Sequence, residues 1–455
     1  MADPIQHVVV LMLENNSFDR MLGCMKAVHP DMEGPNPPES NPFTNPDYPD
    51  ASRLFAQLPD AQRTVAVDPG HDLDDVLRQI HQGDCKGFVS DFVQHCPQAP
   101  QAERYQIMDY FKLGDLPALH ALAQNYLICD HWFSSVPGPT WPNRSFIHSG
   151  TSLGHIDMPG GIFHPALHLY NQPTVYRRLH EKNISWRIYY GDVPQSLLMS
   201  TQLEFPLNYR RMDRFAADVA GSANDFPAYV FIEPSYFGSE QNDQHPPTDV
   251  MHGEALIADV YNALRTNEEL WASTLFVLIY DEHGGFFDHV APPATIAPDT
   301  NTARFAFNQL GIRVPALLIS PWVDPGVFSP VLDHTSLLKY ATDKWDLGPL
   351  GARVPYAASI ASAPVRSTAR SDCPKSIPRP DAQPNDLTVP FNSHQVALAG
   401  LTQHVEANLT QPGDHTIAEH SRAIAATPEA LSRAVAERVQ QFFASRAKGS
   451  AAGSI

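Results

Sequence analysis

Six short apolar runs, separated by segments with helical periodicity, restrict the folds that this chain can adopt. The runs are rich in Val, Ile, Leu and aromatic residues, and they cover residues 8–13, 126–129, 186–190, 228–232, 275–280 and 314–319. Helical patterns lie between several of them, at residues 73–81, 250–264 and 335–347. Because buried strands that alternate with helices form a mostly parallel sheet with helices on both faces, the sequence predicts an α/β fold.

The chain changes character near residue 355, so we expect residues 1–354 to form the main domain. Residues 355–390 are rich in Pro, Ser and Ala, and helices are predicted at 393–408 and 428–447. We therefore expect residues 355–455 to form a Pro-rich linker and an appended C-terminal helical segment. The last helix has an apolar stripe formed by Leu431, Val435, Val439 and Phe442, and another surface must bury this stripe. We expect a protein contact, and both a homo-oligomer and docking on the chain's own body would provide it.

Composition excludes several classes of protein. The chain has 455 residues and a formal net charge of −19, which argues against binding to nucleic acid phosphates. Its five cysteines are scattered and form no CxxC pattern, so we expect reduced thiols rather than disulfides. No signal peptide is visible in the sequence, which predicts a cytoplasmic protein unless another export route operates.

Acidic and amide side chains follow two of the predicted strands. Glu14 and Asn15 come directly after the run at 8–13, and Asp281 and Glu282 come directly after the run at 275–280. Sites in open α/β sheets lie at the carboxyl ends of the strands. Carboxylates that meet there would repel one another unless a cation lay between them, so this pattern predicts a divalent metal ion. Turn capping by the same side chains is the structural alternative.

A proline-rich loop carries a candidate nucleophile. In "SSVPGPTWPNRSFIHSG", Thr140 precedes a helix that we expect to begin near Asn143. Backbone N–H groups at a helix start can face a phosphate. A metal-bound hydroxyl ionises more readily and could attack phosphorus, although a threonine among prolines is usually a turn residue.

Two histidines lie in polar loops that offer no obvious core role. His71 lies in "DPGHDLDDV" and His245 in "NDQHPPTDV". An imidazole there could bind phosphate oxygens, ligate a metal or protonate a leaving alkoxide. His334 is a weaker candidate, because helix capping by Asp333 or Thr335 explains its context equally well.

Six motifs occur together along the chain and identify a family resemblance. The motifs are "ENNSFD", "GHDLDDV…GDCKGFV", "PGPTWPNRSF.HSG", "NDQHP..DV..GE", "YDEHGGFFDHVAPP" and "RVPALLISPWV". In this order they resemble the metal-dependent phosphoesterase family of bacterial and plant non-specific phospholipases C and bacterial acid phosphatases. The resemblance implies an alkaline-phosphatase-like fold, with residues 1–354 as the phosphoesterase domain. One departure is Asn16, where the family usually has Arg.

The resemblance also implies roles for individual residues. It implies a metal site formed by Glu14, Asn15, Asp281 and Glu282, with Thr140 as a further ligand and as the nucleophile that becomes phosphorylated. His71 and His245 match positions that line the phosphate site. Substrate binding is then expected from His71, Asn143, His245 and His334.

The function expected from this resemblance is that of a zinc-dependent phospholipase C. It would act on phosphatidylcholine-like lipids and would meet a membrane or micelle surface transiently. The alternative within the family is a broad-specificity acid phosphatase that acts on soluble phosphomonoesters. The alternative of another class is a non-catalytic lipid- or metal-binding protein.

Overall fold

The computed structural model describes residues 3–36, 39–43, 53–100, 103–158, 170–302, 304–363, 365–407 and 428–452. The described part of the chain contains ten strands, eight of which form one central sheet. The strands are β1 His7–Leu13, β2 Ser40–Phe43, β3 Arg53–Ala56, β4 Leu127–Ile128, β5 Trp186–Tyr190, β6 Tyr209–Arg211, β7 Tyr229–Glu233, β8 Thr274–Tyr280, β9 Ala316–Ile319 and β10 Gly326–Val327.

The central sheet is mostly parallel, as the sequence predicts. Its strand order is β10-β4-β9-β8-β1-β7-β5-β6, and only the pairs that β9 forms with β4 and β8 are antiparallel. Every residue of β1, β7 and β8 is buried, so these strands are covered on both faces. The short strands β2 and β3 form a separate antiparallel pair.

Thirteen α-helices accompany the sheet in the described residues. They are α1 Phe18–Leu22, α2 Leu73–Ile80, α3 Phe88–His95, α4 Glu103–Gln106, α5 Pro117–Asn125, α6 Thr140–Ser149, α7 Val175–Glu181, α8 Phe215–Val219, α9 Val250–Leu264, α10 Glu268–Trp271, α11 His334–Trp345, α12 Ser393–Ala407 and α13 Pro428–Ala452. Two groups of helices pack within themselves, α6 with α7 and α11, and α9 with α5 and α8. No helix of the described chain is long and apolar enough to cross a membrane. The five cysteines are free thiols.

The C-terminal helices belong to the same hydrophobic core as the sheet, which differs from the expected appended segment. Val435, Val439 and Phe442 of the apolar stripe are buried in that core. The ring of Phe443 stacks on Tyr190 at the end of β5, with 5.4 Å between ring centroids. Because the chain's own residues cover these stripe positions, the stripe no longer calls for a second subunit. The side chain of Leu431, the fourth stripe position, lies outside the described residues.

Candidate active site

The polar residues that follow β1 and β8 meet at one edge of the sheet. These strands are paired in parallel with Leu13 opposite Tyr280, so Glu14 and Asp281 leave the sheet side by side. The backbone N–H of Asn15 donates to Asp281 Oδ1 at 3.2 Å. Asn15 has a φ of +55°, a left-handed conformation that is uncommon for non-glycine residues but that asparagine tolerates better than most. The convergence expected from the strand ends is therefore present.

Arg144 lies between the two strand ends, and the sequence analysis did not assign it a role. Its Nη2 lies 3.1 Å from Glu14 Oε1, and its Nε lies 3.4 Å from Asp281 Oδ2. All three side chains are fully buried. Because an isolated buried carboxylate is strongly unfavourable, the guanidinium partly neutralises this pair.

Helix α6 begins at Thr140, three residues earlier than predicted. Pro142 does not prevent this start, since the first N–H groups of a helix have no partner within it. Residues four apart lie on the same face of a helix, so Thr140 precedes Arg144 by one turn on the face that meets the carboxylates. Thr140 is 1% exposed and is the first residue of the helix.

The side-chain amide of Asn143, expected to bind substrate, forms hydrogen bonds with the loop before α6. Its Oδ1 accepts a hydrogen bond from Val136 N at 3.0 Å. Its Nδ2 donates to the carbonyl oxygens of Val136, Gly138 and Pro139 at 2.8–3.2 Å. The amide is thus fully used in holding the loop that leads to Thr140.

The residues expected to hold a metal ion fit that role in the structure. The buried oxygens at this edge that accept no hydrogen bond are Glu14 Oε1 and Oε2, Asn15 Oδ1, Asp281 Oδ2 and Glu282 Oε1. Buried polar atoms normally have partners, and a divalent cation would supply one for these oxygens. Burial, followed by the Glu14 carboxylate, raises the pKa of Asp281 to about 6, although Arg144 opposes this. Burial also raises the pKa of Glu282 well above its ordinary value.

His71 and His245 lie next to each other in the structure. Their ring centroids are 5.7 Å apart and the rings are nearly perpendicular. Burial alone would lower the pKa of His71, but the carboxylates of Glu282, Asp68 and Asp72 outweigh it and raise the pKa to about 10. Burial lowers the pKa of His245. The two imidazoles thus differ in electrostatic environment although they occupy one site.

His334 lies beneath the acidic cluster and uses both ring nitrogens within the protein. Its Nδ1 accepts a hydrogen bond from Trp132 Nε1 at 3.3 Å, and its Nε2 donates to the carbonyl oxygen of Asp281 at 2.7 Å. The ring therefore supports the backbone of Asp281, and neither nitrogen remains for the substrate role that we expected.

Besides Arg144, three residues at the site were missed by the sequence analysis. His394, from α12, places Nδ1 2.9 Å from Glu14 Oε2, and together with Asp243 it offers ligand atoms within 4.8 Å of Glu14. Asp68 likewise offers a carboxylate oxygen within 4.8 Å of a ring nitrogen of His71 and of His245. Asp68 and Asp243 stood beside the histidines of the quoted motifs, which was an available signal. Nothing local marks His394, because it lies in the segment outside the family motifs.

A second buried ionic network holds the loop that follows Glu282. Arg313 donates to Asp19 Oδ1 and to Asp288 Oδ1, both at 2.9 Å. His289 Nδ1 lies 2.7 Å from Asp19 Oδ2, and the backbone N–H of Asp19 donates to Asp288 Oδ2. Helix α1, which follows β1, and the loop after β8 are thus joined by charge-assisted hydrogen bonds.

Buried carboxylates at the carboxyl edge of an α/β sheet could hold a divalent cation, and such a cation can stabilise phosphoryl oxygens. Comparison with known proteins identifies the family. Residues 5–348 match the Phosphoesterase family, and the chain belongs to it. It is therefore a hydrolase, as the motifs predict.

Curated relatives agree with this membership. Non-specific phospholipase C6 of Arabidopsis thaliana is 35% identical over 82% of this chain and 75% of its own length. Non-specific phospholipase C3 of the same plant is 30% identical over 91% of this chain and 84% of its length. Non-hemolytic phospholipase C of Pseudomonas aeruginosa is 29% identical over 75% of this chain and 54% of its length.

Among solved structures, a protein of the alkaline phosphatase superfamily from Vibrio parahaemolyticus aligns with a TM-score of 0.35 and 12% identity. The alignment covers 55% of this chain and 64% of that one. A TM-score this low does not define a fold, and the fold of this chain rests on its own strand order.

Proposed function

We propose that this protein is a metal-dependent phospholipase C that hydrolyses phosphatidylcholine-like lipids to diacylglycerol and a phosphorylated head group. The observation that carries the proposal is the meeting of buried carboxylates of Glu14, Asp281 and Glu282 at one sheet edge, with more negative charge than the single guanidinium of Arg144 neutralises. The position of Thr140 one helical turn before Arg144, which contacts Glu14 and Asp281, supports its part in the proposal. The lipid substrate is supported by the relatives at 30–35% identity, which are named phospholipases C.

A divalent cation would be held by Glu14, Asn15, Asp281 and Glu282, with Thr140 as a further ligand. When bound, such a cation supplies positive charge that stabilises phosphoryl oxygens and promotes ionisation of a hydroxyl. We propose zinc, which carboxylates bind well, and the imidazole of His394 offers a further ligand atom within 4.8 Å of Glu14.

Thr140 is the nucleophile in this proposal. Its Oγ1 forms a bond to phosphorus while the bond from phosphorus to the diacylglycerol oxygen breaks, and that oxygen is protonated. Water then attacks the phosphothreonine, breaks the Oγ1–P bond and releases the phosphorylated head group. His71 and His245 act on the phosphoryl group, and Arg144 keeps Glu14 and Asp281 in position.

The proposed substrate implies a transient contact with a membrane or micelle surface. With a net charge of −19, the protein is better suited to zwitterionic than to anionic lipid surfaces.

The test compares hydrolysis of phosphatidylcholine in mixed micelles with hydrolysis of a soluble aryl phosphate, before and after chelator treatment. We expect the lipid to be hydrolysed with the higher kcat/KM, and we expect the chelator to abolish this activity and zinc to restore it. A higher kcat/KM for the aryl phosphate would instead support a phosphatase. Full activity without metal would refute the proposed mechanism.

Substitution of Thr140 tests the nucleophile. Thr140→Ala should lower kcat by about three orders of magnitude or more, since the attacking oxygen is lost. Thr140→Ser retains the hydroxyl and should keep measurable activity. An alanine variant with the wild-type rate would remove Thr140 from the mechanism.

A further inference from the structure

Two loops of the site come into close backbone contact beside helix α2. The first loop carries His71, and the second carries Glu282 and, three residues later, Gly285. Gly285 has a φ of +75°, and an added Cβ atom there would lie 2.6 Å from the carbonyl oxygen of Gly70 and 2.7 Å from the Cβ of Pro69. The two loops therefore touch at a point that leaves no space for a side chain at position 285.

The side-chain amide of Gln79 joins these two loops. Gln79 lies near the end of α2 and is buried. Its Nε2 donates to the carbonyl oxygen of Gly70 at 2.6 Å and to Asp91 Oδ2 at 2.8 Å. Its Oε1 lies 2.7 Å from Nε2 of His283, which comes directly after Glu282 in the sequence. One buried amide thus contacts both loops.

The chemistry of the partners fixes the direction of each hydrogen bond. A carbonyl oxygen and an ionised carboxylate can only accept, so the amide nitrogen of Gln79 faces Gly70 and Asp91 and uses both of its N–H groups. The amide oxygen remains for His283, whose Nε2 must therefore carry the hydrogen. Burial lowers the pKa of His283 to about 3, so its imidazole is neutral. The ring is held in one tautomer and one orientation.

The orientation of this ring bears directly on the acidic edge of the sheet. His283 Nδ1 lies 3.4 Å from Glu282 Oε2, and the same carboxylate oxygen accepts a hydrogen bond from the backbone N–H of Gly284 at 2.7 Å. A rotation of the His283 ring would therefore change the packing around Glu282.

We propose that Gln79 is a positioning residue that holds the loop of His71 against the loop of Glu282. It does so through its hydrogen bonds to Gly70 and His283. The proposal rests on the roles that the proposed function gives to His71 and Glu282, and it does not depend on which phosphoric ester is the substrate. Because a misplacement of about 1 Å can lower a catalytic rate by about 100-fold, loss of this link should be visible in kcat.

The structural alternative is that Gln79 only fastens α2 to α3. Asp91 lies on α3, and Arg78 also joins the two helices, because its Nε donates to Asp91 Oδ1 at 2.7 Å. The ion pairs of Arg78, with Asp75 and Asp91, lie within α2 and α3 rather than in the two loops. Arg78→Met is therefore the matched control for Gln79→Met.

The test compares these two variants in the full chain, with the phosphoric ester that the wild type hydrolyses best. Methionine is similar in length to glutamine and has neither the amide N–H groups nor the amide oxygen. Gln79→Met should lower kcat by about 10- to 100-fold with little change in KM, because the displaced groups act on the phosphoryl group in the transition state. Arg78→Met should keep the wild-type kcat. Circular dichroism at the assay temperature shows that both variants are folded.

Histidine resonances provide a readout that fastening of the helices alone would not change. In protein with isotope-labelled histidine, the buried Nε2–H of His283 should give an imidazole signal in the wild type and in Arg78→Met, and this signal should be lost in Gln79→Met. The imidazole signals of His71 should shift in Gln79→Met and not in Arg78→Met.

A double-mutant cycle tests whether Gln79 acts through His283. His283→Phe removes the same link from its other end, so the kcat losses of Gln79→Met and His283→Phe should be far from additive. If Gln79→Met does not fold, His283→Phe takes its place in the comparison with Arg78→Met.

Two results would overturn the positioning role. One is an equal kcat in Gln79→Met and Arg78→Met, and the other is a pair of kcat losses that add in the double variant. Wild-type kcat in His71→Ala would refute the proposed function and, with it, the role of Gln79. Wild-type kcat in Gln79→Met alone would refute positioning and leave the proposed function intact.

Discussion

Gly284 lies where β8 turns back towards Asn15, and an added methyl group there should disturb the site directly. Its φ is +65°, and a Cβ atom would lie 2.3 Å from the carbonyl oxygen of Asn15 and 2.8 Å from the Asn15 Cβ. Both distances are shorter than real Cβ atoms show, and the nearest obstacle is backbone rather than a flexible side chain. Left-handed backbone strain contributes about 1–2 kcal/mol for alanine, and the overlap adds about 1–3 kcal/mol. We therefore expect Gly284→Ala to lower the free energy of unfolding by about 2–5 kcal/mol.

Gly348→Ala is the matched control, because Gly348 has a similar φ of +76° and no atom within 4 Å of its added Cβ. It should lower the free energy of unfolding by only the strain contribution of about 1–2 kcal/mol. Urea denaturation followed by tryptophan fluorescence measures both values. The zinc content of the folded Gly284 variant should also fall, since Asn15 must move. Equal destabilisation in the two variants, with wild-type zinc content in both, would refute the argument that Gly284 is needed for the close approach to Asn15.

Two further predictions concern histidines to which the sequence analysis assigned no role. His394→Ala should reduce kcat and zinc affinity at neutral pH, because His394 Nδ1 lies 2.9 Å from Glu14 Oε2, whereas His180→Ala, an exposed histidine, should change neither. Burial alone would lower the pKa of His289, but Asp19 and Asp288 raise it to about 9, so its stabilising contribution is present below about pH 6.5 and is lost as the pH rises through about 9. Urea denaturation across that range should show the free energy of unfolding fall by up to about 3 kcal/mol in the wild type and by less in His289→Gln. An equal pH dependence in both proteins would contradict the assignment.

Much of the fold could be predicted because its strands and helices have strong local signals. Helix α9 spans Val250–Leu264 as the periodicity predicts, and β1 and β8 begin one residue before the apolar runs that predict them. Ser17 is the N-cap of α1 and accepts a hydrogen bond from Arg20 N, as is typical of serine at a helix start. The predicted start of α6 near Asn143 was wrong, because the helix begins at Thr140 and a proline such as Pro142 is tolerated in the first turn.

The relation between the main domain and the C-terminal segment could not be predicted from composition. A Pro-rich stretch with little periodicity indicates a linker, yet Ala397, Leu398 and Leu401 of α12 are buried in the same core as the sheet. Burial of a helix depends on the surface against which it packs, and the sequence of the helix does not determine that surface. For the same reason, the apolar stripe of α13 was compatible both with a homo-oligomer and with docking on the chain's own body. The structure buries Val435, Val439 and Phe442 of this stripe in the core of the same chain.

The sequence by itself determined the sheet and the placement of Glu14, Asn15, Asp281 and Glu282 at one edge of it. Strand alternation and the polar residues at strand ends are local properties, and parallel pairing brings such ends together without further information. Only the tertiary structure placed Arg144 between the carboxylates, His394 against Glu14 and Asp68 beside the two histidines. Apart from Asp68 and His71, which are three residues apart, each of these contacts joins residues that are distant in the chain. Their side chains meet because of how helices and loops pack over the sheet edge, which no local pattern encodes.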